Sequence, residues 1–338
     1  IESDDPIGWI ERYQRQFHVL RDKTLPSFQG GLVGFFGFDT VKYFEPSLKT
    51  KIQKDIIGSP DISLMVSKEI LIFDKINNLI HIIIYSNDSI DSFREASKRI
   101  EYLKDYLISF KVTNDDTSSD NKNIDIDVTY HFEKDKFISS VEKIKQYILK
   151  GDTMQVVLSQ RMSMDFIGKP LSFYRELRHL NPSPYMYYLN MGEYYIVGSS
   201  PEILVRLENN LITVRPIAGT RPRGKTEKED DILVRELLDD PKEKAEHLML
   251  IDLGRNDAGK VSKIGSIKLT DKMIIEKYSH VMHMVSNVTG EISQGLGMMD
   301  VLKSTFPALN QPVIYIFSPS NGAPFRAICL RTLYTNFS

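Results

Sequence analysis

The apolar positions of this chain switch between a period of two and a period near 3.6, and the switches mark its elements. In "EILIFDKINNLIHIIIYS" two apolar runs flank Asn77 and Asn78. That predicts a β-hairpin, since Asn tolerates the left-handed backbone of a tight turn. The next stretch, "DSIDSFREASKRIEYLKDYLISF", sets Phe93, Ala96, Ile100 and Leu103 at helical spacing on one face. Upstream, "GGLVGFFGFDTVKYFEP" mixes Gly with Val and Phe, which predicts a strand with close backbone approach. Residues 112–125, "VTNDDTSSDNKNID", are polar and nearly free of apolar side chains, so they read as a loop or linker.

Beyond that stretch, Phe137, Val141, Ile144 and Ile148 share one helical face, and Gly151 is a natural stop. "MQVVLSQRM" reads as a strand and "PLSFYRELRHLNPSP" as a helix ended by prolines. "YMYYLNMGEYYIVGSS" is a strand pair turning at Met191 and Gly192, and "PEILVRLENNLITVRPIAGT" a hairpin turning at Asn209 and Asn210. "TEKEDDILVRELLDDPKEKAEHLMLIDLGRND" is helical, with a break near Asp240 and Pro241, where Pro suits the first turn of a second helix. Hairpins interspersed with helices imply mainly antiparallel sheets and an α+β fold rather than a doubly wound parallel one.

Composition narrows the picture. The chain has 338 residues, 41% of them hydrophobic, enough for one large domain or two modest ones. A formal net charge of −2 with 26% charged residues gives no field drawing it to nucleic acid or an anionic membrane. The single cysteine, Cys329, excludes an intramolecular disulfide and suits a reducing, cytoplasmic setting. No apolar stretch is long enough to span a bilayer, and the first residues lack a signal-peptide pattern.

Chemistry concentrates in a few places. Glu243 and Glu246, spaced i, i+3 on a helix, can converge on one cation. Such carboxylates with waters suit Mg2+, though a solvated acidic helix start complementing the helix dipole is the alternative. The run Leu248, Met249, Leu250 and Ile251 suggests that this helix enters the core, which would bury Asp252, Arg255, Asn256 and Asp257 and demand partners for them. "PIAGTRPRG" offers backbone N–H groups and a hydroxyl to an anion, and Glu202 in "GSSPE" lies just past a strand. His280 and His283 make a poor zinc pair, with no third ligand near.

Taken in order, "GDTMQVVLSQR", "NPSPYMYYL", "GSSPEILVR", "PIAGTRPRG", "EKAEHLMLIDLGRND" and "IEKYSHVMHMVSNVTG" resemble the chorismate-utilising enzymes, and within them the anthranilate synthase component I branch. The resemblance covers roughly residues 128–308, and "GGLVGFFGFDTVKYFE" is similar to the family's N-terminal region. It implies a two-layer sandwich of mainly antiparallel sheets flanked by helices. Residues 1–111 would be part of the N-terminal region, 112–127 a linker and 128–338 the chorismate-binding domain. It also implies chorismate and ammonia as substrates, the ammonia coming from a glutamine amidotransferase subunit, with Mg2+ as cofactor and anthranilate and pyruvate as products. Glu246 would ligate the metal with Glu243 beside it, Glu202 would be the general acid, and His283 would orient the substrate. Gly219, Thr220 and Arg331 would bind substrate, while Pro184, Tyr185 and Met186 would belong to a tryptophan feedback pocket.

Two positions separate the branches. Aminodeoxychorismate synthases carry Lys where this chain has Ala218, and water-activating relatives carry Lys at the position of Gln155. Neither residue here can do that chemistry, which favours amination to anthranilate over those siblings. The resemblance lapses after "STFPA". "YIFSPSNGAPFRAICLRTL" is similar to a later hairpin of the family, and the family's "LLES" segment, its "GAG" segment and a second pair of glutamates have no counterpart. The expectation is an incomplete chain, inactive or nearly so as written. A non-catalytic member that keeps the fold is the alternative from another class.

Overall fold

The computed structural model describes residues 3–20, 22–49, 57–111, 127–306, 313–318 and 325–335; in the last two strands side chains are described only at 316–318 and 327. The linker expected at 112–127 lies outside the described residues except for Asp127. The chain divides into two compact units, Ile1–Lys122 and Asn123–Ser338.

The first unit opens with helix α1 (Pro6–Gln14), whose N-cap Asp5 accepts from Gly8 N–H and whose Pro6 begins the first turn. Strand β1 (Gly31–Phe36) pairs antiparallel with β2 (Ile62–Ser67). The expected close approach is at Gly34, where a Cβ would stand 1.9 Å from Ser63 O, so only glycine lets the strands meet. Strands β3 (Glu69–Asp74) and β4 (Leu79–Ile84) form the predicted hairpin, with Asn78 at φ 53°. Helix α2 (Ile90–Ser109) follows with Ala96, Ile100 and Leu103 half-buried on one face. Phe93, expected on that face, is 66% exposed. The sheltered stripe starts one turn later than the periodicity suggested.

The second unit holds strands β5 (Thr129–Tyr130), β6 (Val156–Phe166), β7 (Tyr185–Asn190), β8 (Tyr195–Ser200), β9 (Arg206–Glu208), β10 (Leu211–Val214), β11 (Ile217–Pro222), β12 (Lys268–Lys277), β13 (Val281–Glu291), β14 (Val313–Ser318) and β15 (Phe325–Thr335). Its helices are α3 (Lys134–Leu149), α4 (Pro170–Leu180), α5 (Glu227–Asp239), α6 (Pro241–Gly259) and α7 (Met298–Thr305). One six-stranded sheet runs β5-β6-β15-β14-β8-β7, with every pair antiparallel. A five-stranded sheet runs β11-β13-β10-β9 with β12 on β13. This is the expected α+β sandwich of antiparallel sheets flanked by helices.

Each sheet buries one face against its helices. On the six-stranded sheet Val197, Phe317 and Ala327 are buried with Phe173 and Leu177 of α4 against them, and Phe166, Phe173 and Phe317 meet edge to face at 4.9–6.0 Å. On the five-stranded sheet α5 covers Met282 and Met284 with Leu237, and α6 and α7 cover Ile212 and Val288 with Ile251 and Val301. Each fully buried side chain of this size contributes roughly 1.5–3 kcal/mol. No described helix is long and apolar enough to cross a membrane.

Two local features position the site. Asn209 and Asn210, at φ 50° and 65°, make the two-residue turn of the β9–β10 hairpin, as their type predicts. The "PIAGT" stretch does not extend that hairpin but forms β11, which pairs with β13 instead. Helix α6 begins at the expected break, with Asp240 accepting from Lys242 and Glu243 N–H and Pro241 in the first turn.

The far end of α6 corrects the sequence reading. The helix lies along the sheet rather than entering the core. It buries His247, Ile251, Gly254 and Ala258, spaced i, i+4, i+7 and i+11, while Leu248 is 45% exposed. Asp252, Arg255 and Asn256 are therefore exposed, the first two paired at 3.5 Å, and only Asp257 of that group is buried, with Lys260 Nζ at 2.9 Å.

Candidate active site

β11 is the spine of the site. Gly219, at φ 72°, is the extra residue where the register against β13 shifts between Ala218 and Thr220. A bulge of this kind re-aims the following side chain. It brings the Thr220 hydroxyl to 3.0 Å from His283 Nδ1, with Gly219 O 3.2 Å from the same nitrogen. A carbonyl only accepts, so Nδ1 carries the hydrogen and Nε2 of the neutral ring is left as an acceptor. Burial holds the His283 pKa below the ordinary histidine value, against the opposing pulls of Gly219 O and Glu276, so the ring is neutral at pH 7. His280 is not on the strand; it sits in the turn before β13, bonded to Ser279.

A Cβ at position 219 would stand 3.0 Å from Leu237 Cδ1 and 3.1 Å from Glu243 Oε2. The first turn of α6 therefore passes directly over the bulge and sets Glu243 beside Gly219. Arg221, two residues on, binds Asp240 Oδ2 at 2.9 Å, Thr220 O at 3.0 Å and Glu243 Oε1 at 3.4 Å. Arg223 then makes a bidentate pair with buried Asp230, whose carboxyl also accepts from Gly224 N–H and is held down to about 2. These pairs fasten "GTRPRG" to α5 and α6.

Glu202 follows β8 and bonds to β11, its Oε1 accepting from Ile217 N–H at 3.2 Å. Burial pushes its pKa up to about 8, against the opposing pulls of that N–H and of Arg215. It is mostly protonated at neutral pH. It lines a small, largely apolar cavity with Val214, Pro216, Ile217, Leu250 and Asp257. Arg215 is paired with Glu276, which also accepts from Tyr278 OH at 2.8 Å.

Of the residues singled out from the sequence, β11 thus gathers Gly219, Thr220, His283 and Glu243, with Glu202 anchored two residues upstream. Glu246 is half-buried one turn along α6 on the same face as Glu243. Gln155 lies just ahead of β6, and both polar atoms of its side chain are buried without a hydrogen-bond partner among the described residues. Tyr185 and Met186 open β7 after the exposed Pro184, and Tyr185 OH accepts from Arg206 at 3.2 Å. Arg331 stands opposite Gln160 in β15, its side chain outside the described ones.

Sequence reasoning missed Arg221 and the capping role of Asp240. An Asp directly before Pro at a helix start was the available signal for the cap. Nothing local pointed to Arg221. It also missed His247, fully buried, with Nε2 2.7 Å from Ser286 Oγ.

Among the described residues no three His, Cys, Asp or Glu side chains gather closely enough to hold a metal ion. Glu243 is already engaged by Arg221. The donors present do not by themselves make up a magnesium site.

A buried carboxyl with a raised pKa and a histidine bonded to a bulged loop are both attached to one strand of this antiparallel sandwich, which makes it a candidate acid–base site. The chain belongs to the chorismate binding enzymes, whose family model matches residues 2–309. It is 50% identical over 317 residues to anthranilate synthase component 1 of Acinetobacter calcoaceticus, covering 90% of this chain and 62% of that protein. Against the protein of the same name from Pseudomonas aeruginosa it is 46% identical over 313 residues, with coverage of 90% and 62%. The crystal structure of anthranilate synthase component I from Streptococcus pneumoniae TIGR4 superposes with a TM-score of 0.82 at 30% identity, covering 98% of this chain and 81% of that one. The chain spans 62% of the length of these two sequence relatives.

Proposed function

We propose that this chain carries the chorismate site of an anthranilate synthase component I, within residues 128–338. The reaction joins chorismate and ammonia and yields anthranilate, pyruvate and water. Glu202 carries this reading, because it is buried against β11 with its Oε1 on Ile217 N–H, and that burial pushes its pKa up to about 8.

Hydroxide is a poor leaving group, so the C4 hydroxyl of chorismate must take up a proton as it departs. Glu202 gives that proton, water leaves, and the carboxylate that remains has Arg215 nearby to balance it. The unprotonated Nε2 of His283 accepts from a substrate hydroxyl and fixes its orientation. The Thr220 hydroxyl and the backbone around Gly219 take a carboxylate of the substrate, and Arg331 takes the other. Gln155 cannot deprotonate water, so the nucleophile must be strong enough without first losing a proton, as neutral ammonia is. Ala218 offers only a methyl group and forms no covalent intermediate. Loss of the ring proton and of pyruvate then makes the ring aromatic.

Magnesium comes with the resemblance, and Glu246 with Glu243 beside it are the carboxylates we assign to it. The described residues do not complete its site, and no step is assigned to the ion. A glutamine amidotransferase subunit would supply ammonia in a cytoplasmic setting. Pro184, Tyr185 and Met186 would take part in tryptophan feedback.

The engagement of Glu243 by Arg221 favours one second reading, a member that binds chorismate without turnover. Calorimetry separates the two, since chorismate binding that ignores Mg2+ supports the second. The direct test supplies chorismate, Mg2+ and ammonium and follows anthranilate fluorescence. Anthranilate formation by the intact protein, lost in Glu202→Gln, is expected. Aminodeoxychorismate or isochorismate as the product would overturn the proposal.

A further inference from the structure

We propose that Glu276 is a positioning residue for both groups assigned to act on the substrate, holding Arg215 for Glu202 and Tyr278 for His283. The inference rests on the proposed reading of Glu202 and His283. Glu276, His283 and Thr220 stand directly opposite one another across β12, β13 and β11. Directly paired residues leave a sheet on the same face, so the Glu276 carboxylate emerges beside the His283 ring. One of its oxygens pairs with Arg215 and the other accepts from Tyr278 OH at 2.8 Å. The Arg215 and Glu276 side chains are 24% and 29% exposed, so each needs the charge of the other. Burial, and after it the bond to Glu276, pushes the Tyr278 pKa up to about 12, so its hydroxyl donates throughout the neutral range.

Each partner of Glu276 reaches one of the two groups. The Tyr278 ring meets the His283 ring edge to face at 5.5 Å. Its backbone is fixed as well, since Tyr278 N–H donates to Val281 O at 2.8 Å and Arg223 Nη1 donates to Tyr278 O at 2.6 Å. Arg215 lies two residues before Ile217, whose N–H binds Glu202, and its charge draws Glu202 toward the ionised form. It acts on Tyr278 too. A guanidinium facing Glu202 alone would pull harder than one shared with Glu276. Glu276 therefore restrains Arg215 while Glu202 holds its proton and leaves it within reach once the proton has gone. Asp257 of α6 lines the same cavity as Glu202, but it is paired with Lys260 at 2.9 Å. Thr220 and Gly219 O flank His283 from β11 and carry no charge.

Titration of Glu202 by carbon NMR and of His283 by nitrogen NMR tests this in the substrate-free protein. Glu276→Gln is expected to lower the Glu202 midpoint by roughly one pH unit, the low end for an opposite charge within reach. It should lower the His283 midpoint as well, because Glu276 favours the charged ring. Glu276→Asp keeps the charge and should restore both. Arg215→Met should raise the Glu202 midpoint, and in the Arg215→Met, Glu276→Gln double variant the downward shift should be abolished. If either midpoint stays in place in folded Glu276→Gln, the residue is merely structural for that group and the proposal falls. A downward shift that keeps more than about half its size in the double variant overturns it too, since Arg215 is then not the route. So does an unchanged or lowered Glu202 midpoint in Arg215→Met, a readout that holds even if Glu276→Gln does not fold. Shifts as expected without any anthranilate formation from chorismate and ammonium would sink the proposed reaction and leave this inference standing.

Discussion

A glutamate just past a strand end is ordinarily solvated and ionised at neutral pH. Glu202 departs from that because it is buried against β11, where burial outweighs the Ile217 N–H and Arg215. Glu202→Gln keeps the shape and removes the acid, so turnover should fall by about 10²–10⁴ while chorismate affinity by calorimetry changes little. Turnover should also decline above about pH 8 as the Glu202 proton is lost. The sequence could name Glu202 only through the run of family motifs, since "GSSPE" alone fits a solvent carboxylate equally well. Its burial depends on Ile217, fifteen positions away, and on the sheet that β11 joins. The partnering of His283 by Thr220 and Gly219 was illegible for the same reason, since it spans 63 and 64 positions.

Elements carry the next set of consequences. Gly219 combines a left-handed φ of 72° with neighbours 3.0–3.1 Å from a would-be Cβ. Gly219→Ala should cost about 1–3 kcal/mol in denaturant unfolding and pull Thr220 out of reach of His283. Asp240 caps α6 and holds Arg221 at once, so Asp240→Ala should cost at least the ~1 kcal/mol typical of a lost N-cap. An equal loss in an Arg221→Met background would show the Arg221 contact to be worthless. Helix and hairpin existence was legible because period and turn chemistry agree there, as at Asn209 and Asn210. The failure on α6 was also physical. Four consecutive apolar residues suggest entry into the core, yet a helix lying on a sheet buries only every third or fourth one, and Leu248 remains outside.

Protonation couples these residues to the stability of the molecule. His247 is fully buried, with no partner for Nδ1 among the described residues, and burial lowers its pKa from 6.5 to about 4. Its contribution is therefore present above pH 6.5 and lost as pH falls toward 4, worth on the order of 3 kcal/mol. Glu202 runs the other way, with a pKa raised from 4.5 to about 8, so its contribution is present below pH 4.5 and lost as pH rises toward 8. Between pH 4.5 and 6.5 the two slopes oppose, and above pH 6.5 that of Glu202 acts alone. Urea unfolding across this range should show stability declining from pH 6.5 to 8, with the decline absent in Glu202→Gln. At this scale the sequence revealed the class of fold but not the strand order. That β15 lies between β6 and β14 depends on pairing residues far apart in the chain, which no local pattern encodes.

The reading as a whole turns on whether one carboxyl beside β11 keeps its proton at neutral pH. Isotope-edited infrared or carbon NMR titration of Glu202, assigned by difference against Glu202→Gln, measures this without substrate or metal. A protonated carboxyl at pH 7 with a midpoint near 8 is expected. A carboxylate already ionised at pH 7, titrating near its ordinary value of 4.5, would contradict it.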